Sequence, residues 1–545
     1  MTRLYLSSIL LTILCSFSQY CYCEPKGNVY SAISHMEPLI DIERRLVKIA
    51  REYLNQERHQ LNGLKQFADS VEEAMNLSKD DPMKYLGNPI NSYLIIKRFT
   101  SGWSDLGDRL SVDDKKLEDV KVLLKSNEMY MPTFEKDMIG ATDAILRLQD
   151  TYDITAKEIS DGIVEGTTKS SHVLTAQDCL DIASRSHQEK RYVRTMEWLK
   201  EAERIFHDPY LQHRRGNATA LEINEFLAWT YYLANDMEEA LRYTNLVLQE
   251  DPTNEKVLQN QKIYSWYVSR KRKSPENEAT YMKKAQEVLD AFVNLQYVKA
   301  CRDTKPKLLK IKNHNHLVCF YKRNAPTLTL KPLKVTRMHD NPEVYIFHDL
   351  LQENEMKELR RIATPRLMNA QVVNTETNEI GDYVEADYRI AKTMFLNEMF
   401  PSDKKISNKL DQRFGEVTEL NMKYSEELQM NNYGLGGQYE FHHDHGLPGQ
   451  GLANHPDGNR IATLLCYLSD VERGGETVFT QIGLSVPPKK GDAVFWYNLY
   501  RNGTGIQDTE HASCPVVSGS KWVANKWIHE HGNEFKRKCL LNRYE

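Results

Sequence analysis

One stretch decides how this chain folds and functions: Gln438-Tyr439-Glu440-Phe441-His442-His443-Asp444-His445. Alternate side chains of an extended strand share one face, so His442 and Asp444 point the same way while His443 points to the other side. His511 follows 67 residues after Asp444 on a separate predicted strand. His442 and Asp444 are therefore candidate ligands of one metal site, with His511 as the candidate third ligand.

Two imidazoles and one carboxylate on one side of a metal leave its opposite side open, as in non-haem Fe(II) oxygenases. A structural zinc site would normally supply four protein ligands. The spacing His-x-Asp is common by itself, so the motif is a hypothesis that needs structural context. A rival pair, His443 with His445, lacks a carboxylate and falls on the other strand face.

The flanking sequence predicts short strands around this motif. The segment 432–437 is rich in turns, and it is not a dinucleotide fingerprint, because Tyr439 occupies the place of its last glycine. Residues 460–468 are apolar on both faces, which predicts a central strand. Glycine turns separate three more predicted strands, at 474–479, 490–496 and 521–529. Lys521 lies in the last one, and lysine is rarely buried without a partner.

Six motifs carry a family resemblance: Tyr-Gly-x-Gly-Gly-Gln-Tyr-Glu-x-His-x-Asp from Tyr433, Asn-Arg-Ile-Ala-Thr from Asn459, Gly-Gly-x-Thr-Val-Phe from Gly474, Ala-Val-Phe-Trp-Tyr-Asn from Ala493, His-Ala-x-Cys-Pro-Val from His511, and Lys-Trp-Val-x-Asn-Lys-Trp from Lys521. The chain resembles the alpha subunit of collagen prolyl 4-hydroxylase, densely over residues 340–540 and more loosely in the N-terminal half. The resemblance implies a multidomain α+β protein with a C-terminal double-stranded β-helix, one of the jelly-roll architectures.

The resemblance also implies roles for individual residues. His442, Asp444 and His511 would hold Fe(II), and Lys521 would pair with the distal carboxylate of the cosubstrate 2-oxoglutarate, for which a compact ammonium is suited. His529 would join these four as a catalytic residue. Other residues would hold the cosubstrate (Tyr433, Thr463 and His529) or the peptide (Tyr439 and Trp527). Dioxygen would be the second cosubstrate, and ascorbate would return over-oxidised iron to Fe(II).

The chain departs from the family pattern at several positions near the metal motif. Phe441 replaces a proline, and His443 and His445 replace aromatic residues; we expect these two histidines to pack or to face solvent. Cys466 replaces an aromatic residue in the central strand and is expected to be a small buried apolar side chain.

Length and composition predict a secreted protein of several domains. At 545 residues the chain exceeds a single core, and its net charge of −5 argues against nucleic-acid binding. Residues 1–23 are predicted to be a secretory signal, because their apolar run is shorter than the roughly 20 residues that span a membrane. No later run qualifies as a membrane helix. The resemblance implies that the protein resides in the endoplasmic reticulum lumen.

The last residues, 541–545, form no lumenal retention tetrapeptide, so retention would come from a partner. The resemblance implies that this partner is protein disulfide isomerase, in an α2β2 heterotetramer.

Residues 24–165 have a helical pattern. Leu39, Ile42, Leu46, Ile49 and Tyr53 follow a 3,4 alternation, which a second run of this spacing, Leu61 to Met75, repeats out of phase. Such spacing suits helix pairing, either within an ordinary bundle or between chains. The resemblance places a dimerisation domain here.

Residues 166–270 carry a helical-repeat pattern, with Ala228, Ala240 and Pro252 at the small, small and proline positions of a tetratricopeptide repeat. Three aromatic residues share one helix face within it: Phe226, Trp229 and Tyr232. Such a stripe is usually core. The resemblance favours a groove for proline-rich substrates, which dock on aromatic surfaces as preformed polyproline II helices.

Residues 271–335 are expected to be a basic, solvated linker with a disulfide loop, and residues 336–545 the oxygenase domain. The resemblance suggests the disulfides Cys301–Cys319 and Cys514–Cys539, with Cys179 and Cys466 reduced and buried, although sequence alone cannot fix connectivity. Glycosylation is expected where acceptor tripeptides occur, at Asn76, Asn217 and Asn502.

The predicted activity is procollagen-proline 4-dioxygenase: hydroxylation of peptidyl proline in collagen-like or proline-rich secretory proteins, coupled to oxidative decarboxylation of 2-oxoglutarate to succinate. A prolyl 3-hydroxylase or lysyl hydroxylase would use the same iron site. A function of a different class is that of a non-catalytic chaperone that binds proline-rich peptides through the helical repeats.

Overall fold

Helices form most of the described chain up to residue 302, and strands form most of the rest. The computed structural model describes residues 31–54, 62–103, 122–123, 125–127, 131–170, 172–270, 280–302, 318–373, 383–447 and 451–541. The predicted signal, residues 1–23, and the C-terminal residues 542–545 lie outside these ranges. No described helix combines the length and the apolar character needed to cross a membrane.

Six α-helices form the described N-terminal region: α1 (Ile33–Leu54), α2 (Asn62–Ser78), α3 (Pro82–Gly87), α4 (Pro89–Lys97), α5 (Ile139–Tyr152) and α6 (Ala156–Ser160). The predicted 3,4 stripe is buried, since Leu39, Ile42 and Leu46 are at most 2% exposed. It packs α1 against α2 within one chain. The phase slip corresponds to the break between these helices; the side chains of Tyr53 and Leu61 lie outside the description. Self-association stays a prediction.

The repeat region consists of antiparallel helices: α7 (Ala176–Gln188), α8 (Tyr192–His207), α9 (Ala220–Leu233), α10 (Met237–Glu250) and α11 (Glu255–Ser269). Capping boxes begin α7 and α9, where Thr175 and Thr219 bond reciprocally with the acidic residue three positions on. Ala228 and Ala240 are nearly inaccessible between α9 and α10, which confirms the predicted helical repeat.

The prediction of a solvated linker over residues 271–335 is wrong for much of that range. It contains α12 (Thr280–Val293), α13 (Gln296–Arg302), β1 (Val318–Lys322) and α14 (Pro326–Leu330). Tyr297, Val298 and Cys301 are buried, because α13 packs against α5 and the oxygenase strands. The basic runs at 271–273 and 305–312 lie outside the described residues.

The C-terminal region folds as the predicted double-stranded β-helix, with two packed antiparallel sheets. Its strands are β2 (Leu333–Asp340), β3 (Glu343–Phe347), β4 (Met368–Asn369), β5 (Gln371–Val373), β6 (Tyr383–Glu385), β7 (Arg389–Ile390), β8 (Lys392–Phe395), β9 (Gln429–Tyr433), β10 (Gln438–His442), β11 (Arg460–Tyr467), β12 (Val471–Gly474), β13 (Thr477–Phe479), β14 (Leu484–Val486), β15 (Ala493–Tyr497), β16 (His511–Ser513), β17 (Val516–Gly519) and β18 (Lys521–His529). Two helices, α15 (Glu353–Ala363) and α16 (Pro401–Thr418), pack on its outer face.

The larger sheet has the order β1-β2-β3-β15-β11-β18-β9-β8-β4, and the smaller has β14-β13-β16-β10-β7. β11 is central in the larger sheet, as its continuous apolar sequence predicts, and Cys466 within it is fully buried. The small sheet holds β10 and β16 side by side, and these strands carry the predicted metal ligands.

Helices from the N-terminal half contact the loops around those ligand strands. The Arg147 guanidinium donates to the Gly436 carbonyl at 2.9 Å, and the Tyr152 hydroxyl donates to the Pro515 carbonyl at 2.6 Å. The Tyr297 hydroxyl on α13 donates to Gln438 Oε1 at 3.1 Å. The two halves of the chain therefore meet beside the ligand strands.

The expected disulfide pairing is wrong in this structure. Cys301 on α13 pairs with Cys514, immediately after β16, and Cys319 and Cys539 are exposed thiols. Cys179 and Cys466 are buried thiols, as expected. The bond spans 213 residues of chain, since folding brings α13 against β16. A loop of that length contributes on the order of 5 kcal/mol in the chain-entropy model.

We expect the native protein to label at Cys319 and Cys539 with a thiol reagent, because only exposed thiols react readily. Cys179 and Cys466 should label only after unfolding, and a non-reduced digest should release a peptide pair that links Cys301 to Cys514. Peptide mapping by mass spectrometry measures both. A pair that links Cys301 to Cys319 would contradict this connectivity.

Candidate active site

The three predicted ligands meet at one point. His442 ends β10 and His511 begins β16, directly opposite it in the antiparallel register. Their Nε2 atoms lie 3.8 Å and 3.7 Å from the two carboxylate oxygens of Asp444. Candidate ligand atoms of all three residues lie within 4.8 Å of one another, and this is the one such cluster in the described part of the chain. One ion with bonds of about 2.1 Å fits between them.

Backbone carbonyls fix the orientation of both rings. His442 Nδ1 donates to the Glu440 carbonyl at 2.7 Å, and His511 Nδ1 donates to the Thr509 carbonyl at 3.0 Å. Since each Nδ1 carries the proton, each Nε2 keeps its lone pair for the site.

The protonation states also suit a metal. Burial and the neighbouring His511 lower the pKa of His442, so its ring is neutral near pH 7. Burial opposes ionisation of Asp444, but His511, His442 and Arg460 together lower its pKa. Neutral imidazole and ionised carboxylate are the forms that bind metal ions.

Thr463 contacts the ligand Asp444, whereas the resemblance implied a contact with the cosubstrate. Its hydroxyl donates to Asp444 Oδ2 at 2.7 Å and accepts from Asn498 Nδ2 at 2.8 Å. The single proton of this buried hydroxyl is thus donated to the carboxylate ligand. Thr463 orients Asp444 and has no second proton to donate to a cosubstrate oxygen.

A buried cation lies near the metal ligands. Lys521 is 1% exposed, its ammonium donates to Ser513 Oγ at 2.6 Å, and it lies 5.3 Å from the ring centroid of Tyr433. No described acidic group lies within 4.0 Å of it. Burial lowers the pKa of Lys521 to about 7, although nearby Glu476 partly offsets this effect. A buried ammonium without an ion pair marks a site for an anion.

Two residues of this pocket were missed from sequence. Ser513 contacts the Lys521 ammonium. Thr477 lies opposite Ser513 in the β13–β16 register. The Tyr467 hydroxyl donates to Thr477 Oγ1 at 2.8 Å, and all of these side chains are buried. Thr477 lies within a quoted motif, but only strand pairing places it beside Ser513.

His529 does not join the lysine pocket. It lies eight residues from Lys521 along β18, roughly 26 Å at strand spacing. Its ring nitrogens contact the Gly458 carbonyl at 2.6 Å and Glu426 Oε1 at 3.1 Å, which leaves neither nitrogen for a ligand. We therefore revise the predicted cosubstrate contact: His529 holds Glu426 in place.

The predicted peptide-pocket residues, Tyr439 and Trp527, lie beside the metal ligands. The Tyr439 ring stacks on His442 with centroids 3.6 Å apart. The Arg460 guanidinium lies 3.8 Å from the ring centroid of Trp527 and forms a two-pronged ion pair with Glu426. The indole N–H of Trp527 is buried without a hydrogen-bond partner among the described residues, so it can donate to a peptide carbonyl.

His443 and His445 lie apart from the metal ligands, as their strand face predicts. His443 Nε2 contacts the Gln507 carbonyl at 3.0 Å, and His445 is buried against Gly505.

The repeat aromatics form a second region on α9. Phe226 is half-buried and packs edge-on against His187. Trp229 is 42% exposed and lies 5.5 Å from Tyr232, which stacks on Tyr264 at 5.1 Å. Trp229 and Tyr232 thus belong to an aromatic surface, while Phe226 contributes to packing.

Comparisons with known proteins cover each region. Three family models match: the N-terminal region of prolyl 4-hydroxylase alpha subunits over residues 32–166, the prolyl 4-hydroxylase peptide-substrate-binding domain over 176–270, and the 2OG-Fe(II) oxygenase superfamily over 428–529. Prolyl 4-hydroxylase subunit alpha-1 of Caenorhabditis elegans is 33% identical over 94% of this chain and 91% of its own length. The chain belongs to the prolyl 4-hydroxylase alpha-subunit family.

Other members of the family show the same extent of similarity. The human alpha-1 subunit is 33% identical over 95% of this chain and 96% of its own. Among solved structures, a viral collagen prolyl hydroxylase from Paramecium bursaria Chlorella virus-1 covers 34% of this chain and 94% of its own, with 22% identity and a TM-score of 0.27. The metal ligands, the lysine pocket and Trp527 all lie within the matched oxygenase region.

Replacing Thr463 with valine should weaken metal binding by about 10- to 100-fold, because the carboxylate ligand loses the hydrogen bond that orients it. Titration with Mn²⁺ measures this loss. The matched control is Thr418→Val, which removes a buried hydroxyl that bonds a helix carbonyl elsewhere. Unchanged metal affinity with weaker 2-oxoglutarate binding would restore the cosubstrate role predicted for Thr463.

The affinity for 2-oxoglutarate should fall as the pH rises from 7 to 9. Only the protonated Lys521 attracts a carboxylate, and its protonated fraction falls about tenfold per unit well above its pKa. Calorimetry on the Mn²⁺-loaded protein without oxygen measures this dependence. Lys521→Met should bind weakly with a flat profile over this range; an unaltered slope in that variant would assign the titration to another group.

Proposed function

We propose that this chain is the catalytic alpha subunit of a procollagen-proline 4-dioxygenase. The observation that carries the proposal is the pairing of an open His442/Asp444/His511 triad with the buried cation of Lys521. The family accounts for both features, because it uses Fe(II) and a dicarboxylate cosubstrate.

Each group has a defined task. His442, Asp444 and His511 would hold Fe(II), and Lys521 with Ser513 and Tyr433 would hold the distal carboxylate of 2-oxoglutarate. The iron and its cosubstrates supply the oxidation of a C–H bond that side chains cannot perform, coupled to release of CO2 and succinate. Burial keeps water from the lysine pocket, so the ammonium interacts strongly with the single carboxylate it accepts.

Two aromatic side chains beside the metal ligands would position the peptide. Tyr439 covers His442, and Trp527 is clamped by Arg460, so both rings are held rigidly beside the metal ligands. The free indole N–H of Trp527 and the flat ring of Tyr439 suit a proline residue in an extended chain. We propose that Trp229 and Tyr232 bind a second stretch of the same polypeptide, with fewer hydroxyls than a groove of tyrosines would offer.

The cellular setting is part of the proposal. Asn76, Asn217 and Asn502 are exposed, as glycosylation in the secretory lumen requires. We propose residence in the endoplasmic reticulum, an α2β2 assembly with protein disulfide isomerase as the beta subunit, and ascorbate as the reductant of over-oxidised iron.

The proposal is tested on the chain coexpressed with protein disulfide isomerase. Pro-Pro-Gly repeats should yield 4-hydroxyproline and succinate in equal amounts, only when 2-oxoglutarate is present. His442→Ala should abolish turnover while peptide binding by the repeat region is unchanged. Product at C3, or hydroxylation of lysine, would favour a sister activity. Peptide binding without any product would favour the chaperone.

Trp229→Ala should raise the KM for long proline-rich peptides several-fold and leave kcat unchanged, since Trp229 offers an exposed aromatic surface far from the metal. Steady-state kinetics with ten-repeat peptides measures this split. Tyr210→Ala, which removes another exposed aromatic side chain, is the matched control. Equal effects of the two variants would refute a specific groove at Trp229.

A further inference from the structure

A cleft of about 1000 Å³ separates the helical half of the chain from the oxygenase strands. Helices α5, α8 and α12 form one wall, with Tyr192, Tyr281 and Val288 among its residues. Strands β4, β6, β7 and β10 contribute to the other wall. This cleft, here called the interdomain cleft, is distinct from the lysine pocket.

The interdomain cleft lies next to the candidate active site. Gln438 and Glu440 line it, and both lie on β10, the strand that ends at His442. Arg389 also lines it, and its guanidinium lies 4.7 Å from the ring centroid of Tyr439. Since Tyr439 stacks on His442, only one aromatic ring separates the Arg389 guanidinium in the cleft wall from a metal ligand.

The other end of the cleft leads to the repeat helices through a row of aromatic rings. Tyr281 lies edge-on to Tyr192 with centroids 6.1 Å apart. Tyr192 lies 5.2 Å from His187, and His187 lies 5.4 Å from Phe226 on α9. The row connects the aromatic helix of the repeat region with the rim of the cleft.

The cleft walls offer hydrogen bonds of the kind a peptide backbone makes. Asn369 Oδ1, an acceptor, and Arg389 Nε, a donor, are buried without a partner among the described residues. Buried polar atoms are rarely left unpaired, so this pair suits a ligand with one N–H and one C=O group.

Several wall charges are already neutralised within the protein. Asp143 pairs with Arg185, and Asp150 pairs with Arg191 and Arg194, at 2.6–2.8 Å. The exposed rim combines apolar and charged side chains: Val288 is 70% exposed and Tyr281 is 42% exposed, beside the exposed Lys284. These features favour an uncharged, partly apolar chain over a phosphate or another small ion.

We propose that the interdomain cleft binds the stretch of substrate polypeptide that connects the segment on the repeat helices to the proline in the active site. This proposal rests on the proposed function. It assigns to one extended, proline-rich chain a continuous path over Trp229, through the cleft and to Trp527. A polyproline II chain advances about 3.1 Å per residue, so only substrates of many residues can follow the whole path.

The test places a bulky side chain at the exposed rim. Val288→Trp should narrow the cleft and raise the KM for a ten-repeat Pro-Pro-Gly peptide several-fold, while kcat/KM for a two-repeat peptide stays unchanged. Glu287→Trp, on the exposed opposite face of α12, is the matched control and should behave as the parent. Equal loss for both peptide lengths, or no loss for either, would overturn the path through the cleft.

A direct contact measurement separates this proposal from the proposed function. A photo-crosslinking benzophenone side chain at position 288 should label the ten-repeat peptide in the full complex, whereas the same group at position 287 should not. Because binding alone gives the label, it does not depend on turnover. Hydroxylation without labelling at 288 refutes the cleft alone; labelling without hydroxylation refutes the activity alone.

Discussion

The antiparallel pairing of β10 with β16 is the constraint on which the functional part of this molecule depends. It sets His442 opposite His511 and brings Asp444 to both imidazoles. A slip by one residue would turn one histidine to the other sheet face, because side chains alternate along a strand. The register is held from outside the sheet, since the helical half bonds to Gly436, Gln438 and Pro515, and the bond between Cys301 and Cys514 ends beside β16.

The metal ligands and the lysine pocket form one site, in which one part attracts a cation and the other attracts an anion. Neutral imidazoles and an ionised carboxylate attract a cation, while Lys521 is a buried positive charge that requires an anion. Holding that ammonium away from water costs free energy, which lowers its pKa to about 7. The cosubstrate satisfies both, because one end of 2-oxoglutarate is suited to the metal and the other carries the carboxylate. An anion beside Lys521 would offset this cost, which favours binding of the cosubstrate.

The helical half has more than a supporting role. Its repeat helices present aromatic rings, and its last helices form one wall of a cleft that reaches the β10 strand. Substrate length, rather than the identity of the reacting residue alone, would then determine affinity, since each region contributes contacts along one chain. Linking weak contacts in this way raises affinity without any single strong interaction.

Local sequence patterns determined several of the strands and helix faces of this protein. His442 and Asp444 meet as predicted, although β10 ends at His442 and the bend after it, not strand alternation, places Asp444. The apolar run of residues 460–468 predicted the central strand, and the stripe at Leu39, Ile42 and Leu46 predicted a buried helix face. These features depend on neighbours a few residues away. The resemblance, not the spacing, singled out His511 and Lys521. Only the tertiary structure decided the Cys301–Cys514 pair, the orienting role of Thr463, the place of Ser513 and Thr477 beside Lys521, and the burial of α13. Each depends on segments distant in sequence that packing brings together, and no local periodicity records which segments those will be.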